Sequence, residues 1–398
     1  MIRAGEAAIP RWSKPYRHLT TPARATRQRE LGHMELPLLS IKCEVHLYCD
    51  VISLDPLIIV GFGSPHPGQP ALTLSQALRN KKVYYLLWSW WTPQDNDELF
   101  NMVNSYYFLK KYYPQHDVHI MVNDHVDMFL LEKCKINTTF CHQNAFLDQR
   151  IFNIIDGSPK EYDAIYNARL DRFKRHMLAS KLNNVGLIYY SPAKEKKEGL
   201  AYKAELKNNL PNAVFLNEHP ETGMDRFLSP QDICQLYNKS RVGLCLSDLE
   251  GGMYAATEYL LCGIPVVSTH NIGGRDYFLD KDFARLVDPD PDAVAEATYS
   301  LISENIPPKV IRQRTLLKML KQRQIFIDHV QTIFDKENVG RNFADEWDVV
   351  FKNKLLVWGI PNWQVLEYIR ANEGHKGPLK TPLARRYGVT VPENFEWE

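Results

Sequence analysis

From about Ile41 the chain alternates short apolar runs with longer amphipathic segments, separated by Gly, Pro and Asn. Leu57–Val60 runs into Gly61-Phe62-Gly63-Ser64-Pro65, which predicts a strand followed by a loop. Leu72–Arg79 has helical spacing, Val83–Trp91 reads as a buried strand, and Glu98–Tyr113 reads as a helix. Val118–Val122 and Thr138–Cys141 predict two more strands. A second run of the same kind follows Asn144. Its strands are expected at Ala164–Asn167, Val185–Tyr190, Ala213–Leu216, Val242–Leu246 and Val266–Thr269. Helices are expected at Asp171–Lys181, capped by Asp171, and at Lys194–Asn208 and Pro230–Lys239. Beyond Asp288 come further helices, including Val310–Asp328 and a Trp-rich stretch, Phe343–Arg370, then an irregular tail from Gly374. There is no internal repeat at solenoid spacing.

Alternating strands and helices imply an α/β fold with parallel sheets covered on both faces. Two such runs predict two Rossmann-like domains facing a cleft, with ligands at the carboxyl ends of the strands. The pattern divides into a leader at 1–40, a first domain at 41–142 and a second at 143–335. Residues 336–398 are expected to form helices packing back across the domains, then the tail.

Composition narrows the function. The 398 residues are 44% hydrophobic and 24% charged, as in a soluble globular protein. A net charge of +1 gives no support for nucleic-acid binding. Seven scattered cysteines suggest neither a disulfide framework nor a zinc site, so reduced thiols in a cytoplasmic compartment are expected. No apolar run approaches the ~20 residues that span a bilayer. The first 33 residues carry seven basic side chains against Glu6 and Glu30. A solvated leader, a transit peptide (interrupted by Pro10, Pro15 and Pro22) and contact with an anionic membrane surface all fit that charge.

The stretch Leu244–Arg275 carries the chemistry. Glu250 and Glu258 stand eight positions apart, with Gly251 and Gly252 between them, and Cys262-Gly263-Ile264-Pro265 then breaks the helical pattern before a strand. A helix that starts at a glycine turn presents free N–H groups and its positive dipole end to an anion. Eight helical positions span roughly 12 Å, the reach from a sugar ring across a diphosphate to a ribose. A solvent-facing Glu258 is the plain alternative. Upstream, Arg169 ends a predicted strand and Lys174 falls in the first turn of the next helix. Two cations so close repel unless an anion lies between them, and a diphosphate would satisfy both. An ordinary basic helix face, with Arg172 and Arg175, is equally consistent.

The segment from Asn144 to about Ala297 resembles the donor-binding half of retaining GT-B glycosyltransferases of family four (glycosyl transferases group 1). The family's E-x7-E motif matches Glu250 and Glu258, and its R-x4-K pair matches Arg169 and Lys174. Gly263–Val267 and Gly273-Gly274 resemble the strand and glycine loop behind the site, and Asn144–Asp148 the segment that opens this half. The resemblance implies a GT-B fold whose first domain is short or atypical. It gives Glu258 the ribose, Glu250 the donor hexose and the developing oxocarbenium charge, and Arg169 and Lys174 the leaving diphosphate. Gly251, Gly252, Met253, Tyr254, Gly273 and Gly274 would line the donor. The implied reaction moves a hexose from a UDP- or GDP-hexose to a hydroxyl of a glycan, lipid or protein, with retention, no cofactor and no metal.

The first domain fits the family less well. Its glycine loop would be Gly61-Phe62-Gly63, and Trp88 stands where a histidine is usual. Trp88, Trp90 and His66 are the acceptor-side candidates, with His125 and His142 as further histidines; Trp90 and Trp91 either stack on a sugar or belong to the buried strand. A non-catalytic nucleotide-sugar or glycan-binding relative is the alternative. A Rossmann oxidoreductase lacks its G-x-G-x-x-G here.

Overall fold

The computed structural model describes residues 48–64, 68–89, 91–190, 196–219, 221–351 and 360–379. Among the described residues, twelve strands form two six-stranded sheets. The first contains β1 (Tyr48–Leu54), β2 (Leu57–Ser64), β3 (Val83–Ser89), β4 (His116–Val122) and β5 (Thr138–Phe140). The second contains β6 (Tyr162–Asn167), β7 (Val185–Ile188), β8 (Ala213–Phe215), β9 (Ser240–Cys245), β10 (Val266–Thr269) and β11 (Ala284–Val287). Strand β12 (Ile360–Pro361) returns to the first sheet, giving the orders β12-β1-β2-β3-β4-β5 and β11-β10-β9-β6-β7-β8.

The second sheet is parallel throughout. The first is mixed, because β1 runs antiparallel to β2 and to β12. The apolar-run pattern misses β1, which precedes the first recognised strand. The glycine loop expected after Val60 is also corrected: Gly61 and Ser64 continue β2, pairing with Leu87 and Ser89 of β3 across a register shift. Ladder pairing holds these glycines extended despite their low strand propensity.

Helices cover both sheets. In the first half they are α1 (Gly68–Ser75), α2 (Asn96–Tyr112) and α3 (His125–Lys133), the last two N-capped by the carboxylates of Asp95 and Asp124. In the second half they are α4 (Lys196–Asn209), α5 (Pro230–Asn238), α6 (Tyr254–Leu261) and α7 (Pro291–Glu304). Ser229 and Asp232 form a capping box at α5. The helix expected at Asp171–Lys181 is instead two short 3-10 turns, Arg172–Lys174 and His176–Ala179, broken by Arg175 at φ 53°. Asp171 makes no side-chain cap there.

The long α8 (Pro308–Lys336) joins the halves, and α9 (Phe343–Val350) and α10 (Asn362–Ala371) follow. Ile311 and Met319 of α8 lie in the core of the second sheet, whereas Phe326, Val330 and Ile333 pack with Trp88 and Phe146 beneath the first. Midway, Gln322 Oε1 accepts from the His142 N–H at 2.8 Å, and Arg323 donates to Ala145 O at 2.6 Å and Leu147 O at 3.0 Å. The crossover segment is thereby fixed to the helix. No described helix is long and apolar enough to cross a membrane.

Candidate functional site

The loop after β9 turns through Gly251 and Gly252 into α6, at the carboxyl end of the second sheet. Met253 caps the helix at φ 39°, a left-handed conformation that strains a non-glycine residue, and no side chain caps the first amides. Asn144 pins the turn from the crossover segment: its Nδ2 donates to Gly252 O at 2.6 Å, Met253 O at 3.2 Å and Thr257 Oγ1 at 2.8 Å. A Cβ on Gly252 would lie 2.6 Å from Gln143 Nε2 and 2.8 Å from Asn144 Oδ1, so a larger residue would have to displace both side chains. Gly273, at φ 107°, lies beneath the turn, where a Cβ would stand 1.9 Å from Glu250 O.

Of the two cations that follow β6, Lys174 reaches this turn. Lys174 is buried and donates to Glu250 Oε1, which also accepts from Ser247 Oγ at 2.5 Å. Tyr166 OH donates to Lys174 O at 2.6 Å and holds the 3-10 turn in place. Arg169 donates to Asp171 Oδ2 at 2.9 Å and sits between two rings, 5.3 Å from the Phe173 centroid and 5.9 Å from that of Trp91. Its Nε is buried without a hydrogen-bond partner, an unsatisfied charged donor.

Glu258 lies on α6 facing α5. Tyr237 OH donates to its Oε2 at 2.8 Å and in turn accepts from Asn167 Nδ2 at 2.6 Å. Burial pushes the Glu258 carboxyl up to about 7, against the pull of the Tyr237 hydrogen bond. Glu258 is half-buried against α5 and bonded to Tyr237 rather than extended into open solvent. The separation estimate also needs correction: residues 250–253 are turn, so Glu258 is little more than one helical turn into α6, not two.

Of the acceptor-side candidates, Trp88 is corrected outright. It is fully buried, donates from Nε1 to Cys141 O at 2.6 Å, and stacks on Phe326. Its place in the middle of a sheet covered by α8 leaves nothing of it to a ligand. Trp90 and His66 lie outside the described residues. His142 is also buried, with Nε2 at 2.9 Å from Gly274 O, and His125 packs at a tilt against Phe140, with ring centroids 4.0 Å apart.

Of the residues that face the donor-side loop from the first sheet, the sequence pointed to Trp91 but not to Thr92. Trp91 meets Phe173 edge-on at 5.9 Å, and the Thr92 side chain lies against Gly273. Thr92 Oγ1 donates to Asp127 Oδ1 at 2.6 Å, and Gln94 Nε2 donates to the same oxygen at 2.9 Å. Burial raises the Asp127 carboxyl to about 7. Also missed were two buttresses of the turn. Arg275, fully buried, donates to Ser247 O at 2.7 Å, and Arg175 donates to Leu246 O at 2.6 Å and Thr269 Oγ1 at 2.7 Å. Only their adjacency to the quoted glycines and lysine hinted at them.

Solved structures of low sequence identity share this fold. HepE of Anabaena in complex with UDP is similar with a TM-score of 0.50 at 11% identity, over 66% of this chain and 76% of that one. Sucrose-phosphate synthase of Thermosynechococcus elongatus is similar with a TM-score of 0.51 at 15% identity, over 83% of this chain and 82% of that one. The fold is GT-B. Residues 184–304, from β7 to the end of α7, match the family model of glycosyl transferases group 1. No curated protein matches the chain in sequence. In this GT-B chain the glycine turn, Lys174, Glu250 and Glu258 all lie on the second-sheet side, and Trp91, Thr92 and Asn123 approach from the first. Among the described residues no cluster of three His, Cys, Asp or Glu could hold a metal ion.

Proposed function

We propose that this chain transfers a hexose from a nucleoside-diphosphate sugar to a hydroxyl acceptor, with retention at the anomeric carbon. The observation that carries the reading is the buried Lys174–Glu250 pair beside a side-chain-poor helix start, with Arg169, whose Nε lacks a partner, sharing the Phe173 ring with Lys174. A dianionic diphosphate would supply the acceptor that Arg169 lacks and would be met by the α6 amides. Lys174 would neutralise the charge that grows on the leaving phosphate, and Glu250 would hold donor hydroxyls and support positive charge at the anomeric carbon. Glu258 would accept from ribose hydroxyls. UDP is the first donor to test, because HepE, similar in fold, was crystallised with UDP and with UDP and glucose.

Calorimetric titration with UDP, GDP and NAD, followed by donor turnover with added sugars, tests the reading. Binding of UDP or GDP with turnover is expected. Tight binding without turnover on any acceptor would make the chain a binding module, and selective NAD binding would sink the scheme. Lys174→Ala should depress kcat more than donor affinity, since it acts on charge that develops in the transition state. Equal losses in both would remove that role.

A further inference from the structure

Two helices meet at Glu258. Helix α5 carries Tyr237 and, three residues earlier, Cys234; α6 carries Glu258 and ends in Cys262 four residues later. Positions three and four apart share a helix face, so α5 and α6 meet on two successive rungs. One rung is the Tyr237–Glu258 hydrogen bond. The other is a pair of buried thiols whose Sγ atoms lie 3.8 Å apart. Among the described residues no other two thiols are in such contact.

The two sulfurs differ. Asn238 Nδ2 donates to Cys234 Sγ at 3.5 Å, and Cys234 Sγ in turn faces Asn153 O at 3.5 Å. The Cys262 hydrogen bond, with help from the Arg312 charge, holds the Cys234 thiol below its ordinary range, while burial pushes Cys262 well above it. A thiolate-prone sulfur in contact with a protonated one is the arrangement that thiol oxidation uses.

We propose that Cys234 and Cys262 are a redox modification site, closed by peroxide into a reversible disulfide. The Cys234 thiolate attacks one peroxide oxygen, the O–O bond breaks, and hydroxide leaves a sulfenic acid on Cys234. The Cys262 sulfur then attacks the Cys234 sulfur, forming S–S and breaking S–O, and its proton departs with the hydroxyl as water. Two electrons pass from the thiols to peroxide, and two waters result. Both thiols are buried, so the oxidant enters through local opening of the segment around Asn153 that covers Cys234. Closing the contact to the ~2.05 Å of an S–S bond draws α5 toward the end of α6 and shifts Tyr237 against Glu258 one turn away. That coupling rests on Glu258 being part of the donor site.

The test uses the full chain, reduced with a phosphine and then treated with hydrogen peroxide. After denaturing alkylation, peptide mapping should show Cys234 joined to Cys262. Chymotrypsin is needed because Cys245 and Cys262 share one tryptic peptide. The link should vanish on reduction and in both Cys234→Ser and Cys262→Ser. Two cysteines that still alkylate after peroxide treatment overturn the proposal. Oxidation should weaken UDP binding by about tenfold, as expected for one lost hydrogen bond to a charged group, and reduction should restore it. A formed link with unchanged UDP affinity overturns the coupling. A reduced protein that fails to bind UDP overturns the functional reading instead, and the peptide map still decides the disulfide.

Discussion

Glu258 is a donor-side candidate whose protonation state the fold brings into a working range. Its carboxyl is raised from an ordinary 4.5 to about 7 by burial, so the free protein ionises it only as pH passes through neutrality. In the proposed donor site, ribose hydroxyls would donate to the ionised form. UDP affinity should therefore rise from pH 6 to pH 8, and Glu258→Gln should flatten that profile and cost roughly 1–3 kcal/mol at pH 8. A pH-independent wild-type affinity would count against the contact. Asp127 gives a stability test of the opposite kind. Its carboxyl moves from 3.8 to about 7, so the folded state keeps a proton that the unfolded chain loses. Stability then falls as pH rises from about 4 through 7 and levels off above. Asp127→Asn keeps an acceptor for Thr92 and Gln94 without the buried charge, and should be the more stable protein at pH 8 by on the order of 2 kcal/mol. The gap should close toward pH 4 in urea titrations.

At the scale of elements, the site is a set of turns that only glycine or a strained residue can make. Gly274 is the clearest case, because a Cβ there would stand 2.3 Å from the backbone oxygen of Asn123 in the other half of the molecule. Gly274→Ala must push the two halves apart at the cleft. It is expected to cost about 1–3 kcal/mol as overpacking and to weaken UDP binding together with stability. Wild-type melting and affinity in that variant would show the contact to be looser than drawn. The expected strand–turn–helix–strand unit from Val242 to Thr269 matches β9, α6 and β10 closely, because apolar runs bounded by glycine and proline leave few alternatives. The Asp171 helix fails for a tertiary reason: Arg175 turns left-handed so that its guanidinium reaches Leu246 and Thr269.

At the scale of the molecule, α8 decides how the halves sit. Its first turns belong to the second core, its later ones to the first, and its middle binds the crossover segment between them. Phe326 is fully buried against Trp88, Phe146 and Phe343. Phe326→Ala should cost about 3–5 kcal/mol, with hydrogen exchange accelerating in α8 and in the crossover segment together. Acceleration confined to α8 would mean that the helix does not clamp the halves.

Local pattern by itself determined the alternation of strands and helices, the two α/β halves and the glycine turn with its glutamates, whereas it left Arg169 and Lys174 open between a phosphate pair and an ordinary basic face. The former are readable because apolar periodicity and glycine placement act over a few residues, where the chain has little choice. Which side chains line the cleft was settled only by tertiary packing. Trp88, an apparent acceptor residue, went into the core because α8 arrives from two hundred residues away to cover it. Thr92, Asp127, Tyr237 and Arg275 gained their positions the same way, from contacts between segments whose spacing in sequence carries no trace of their meeting.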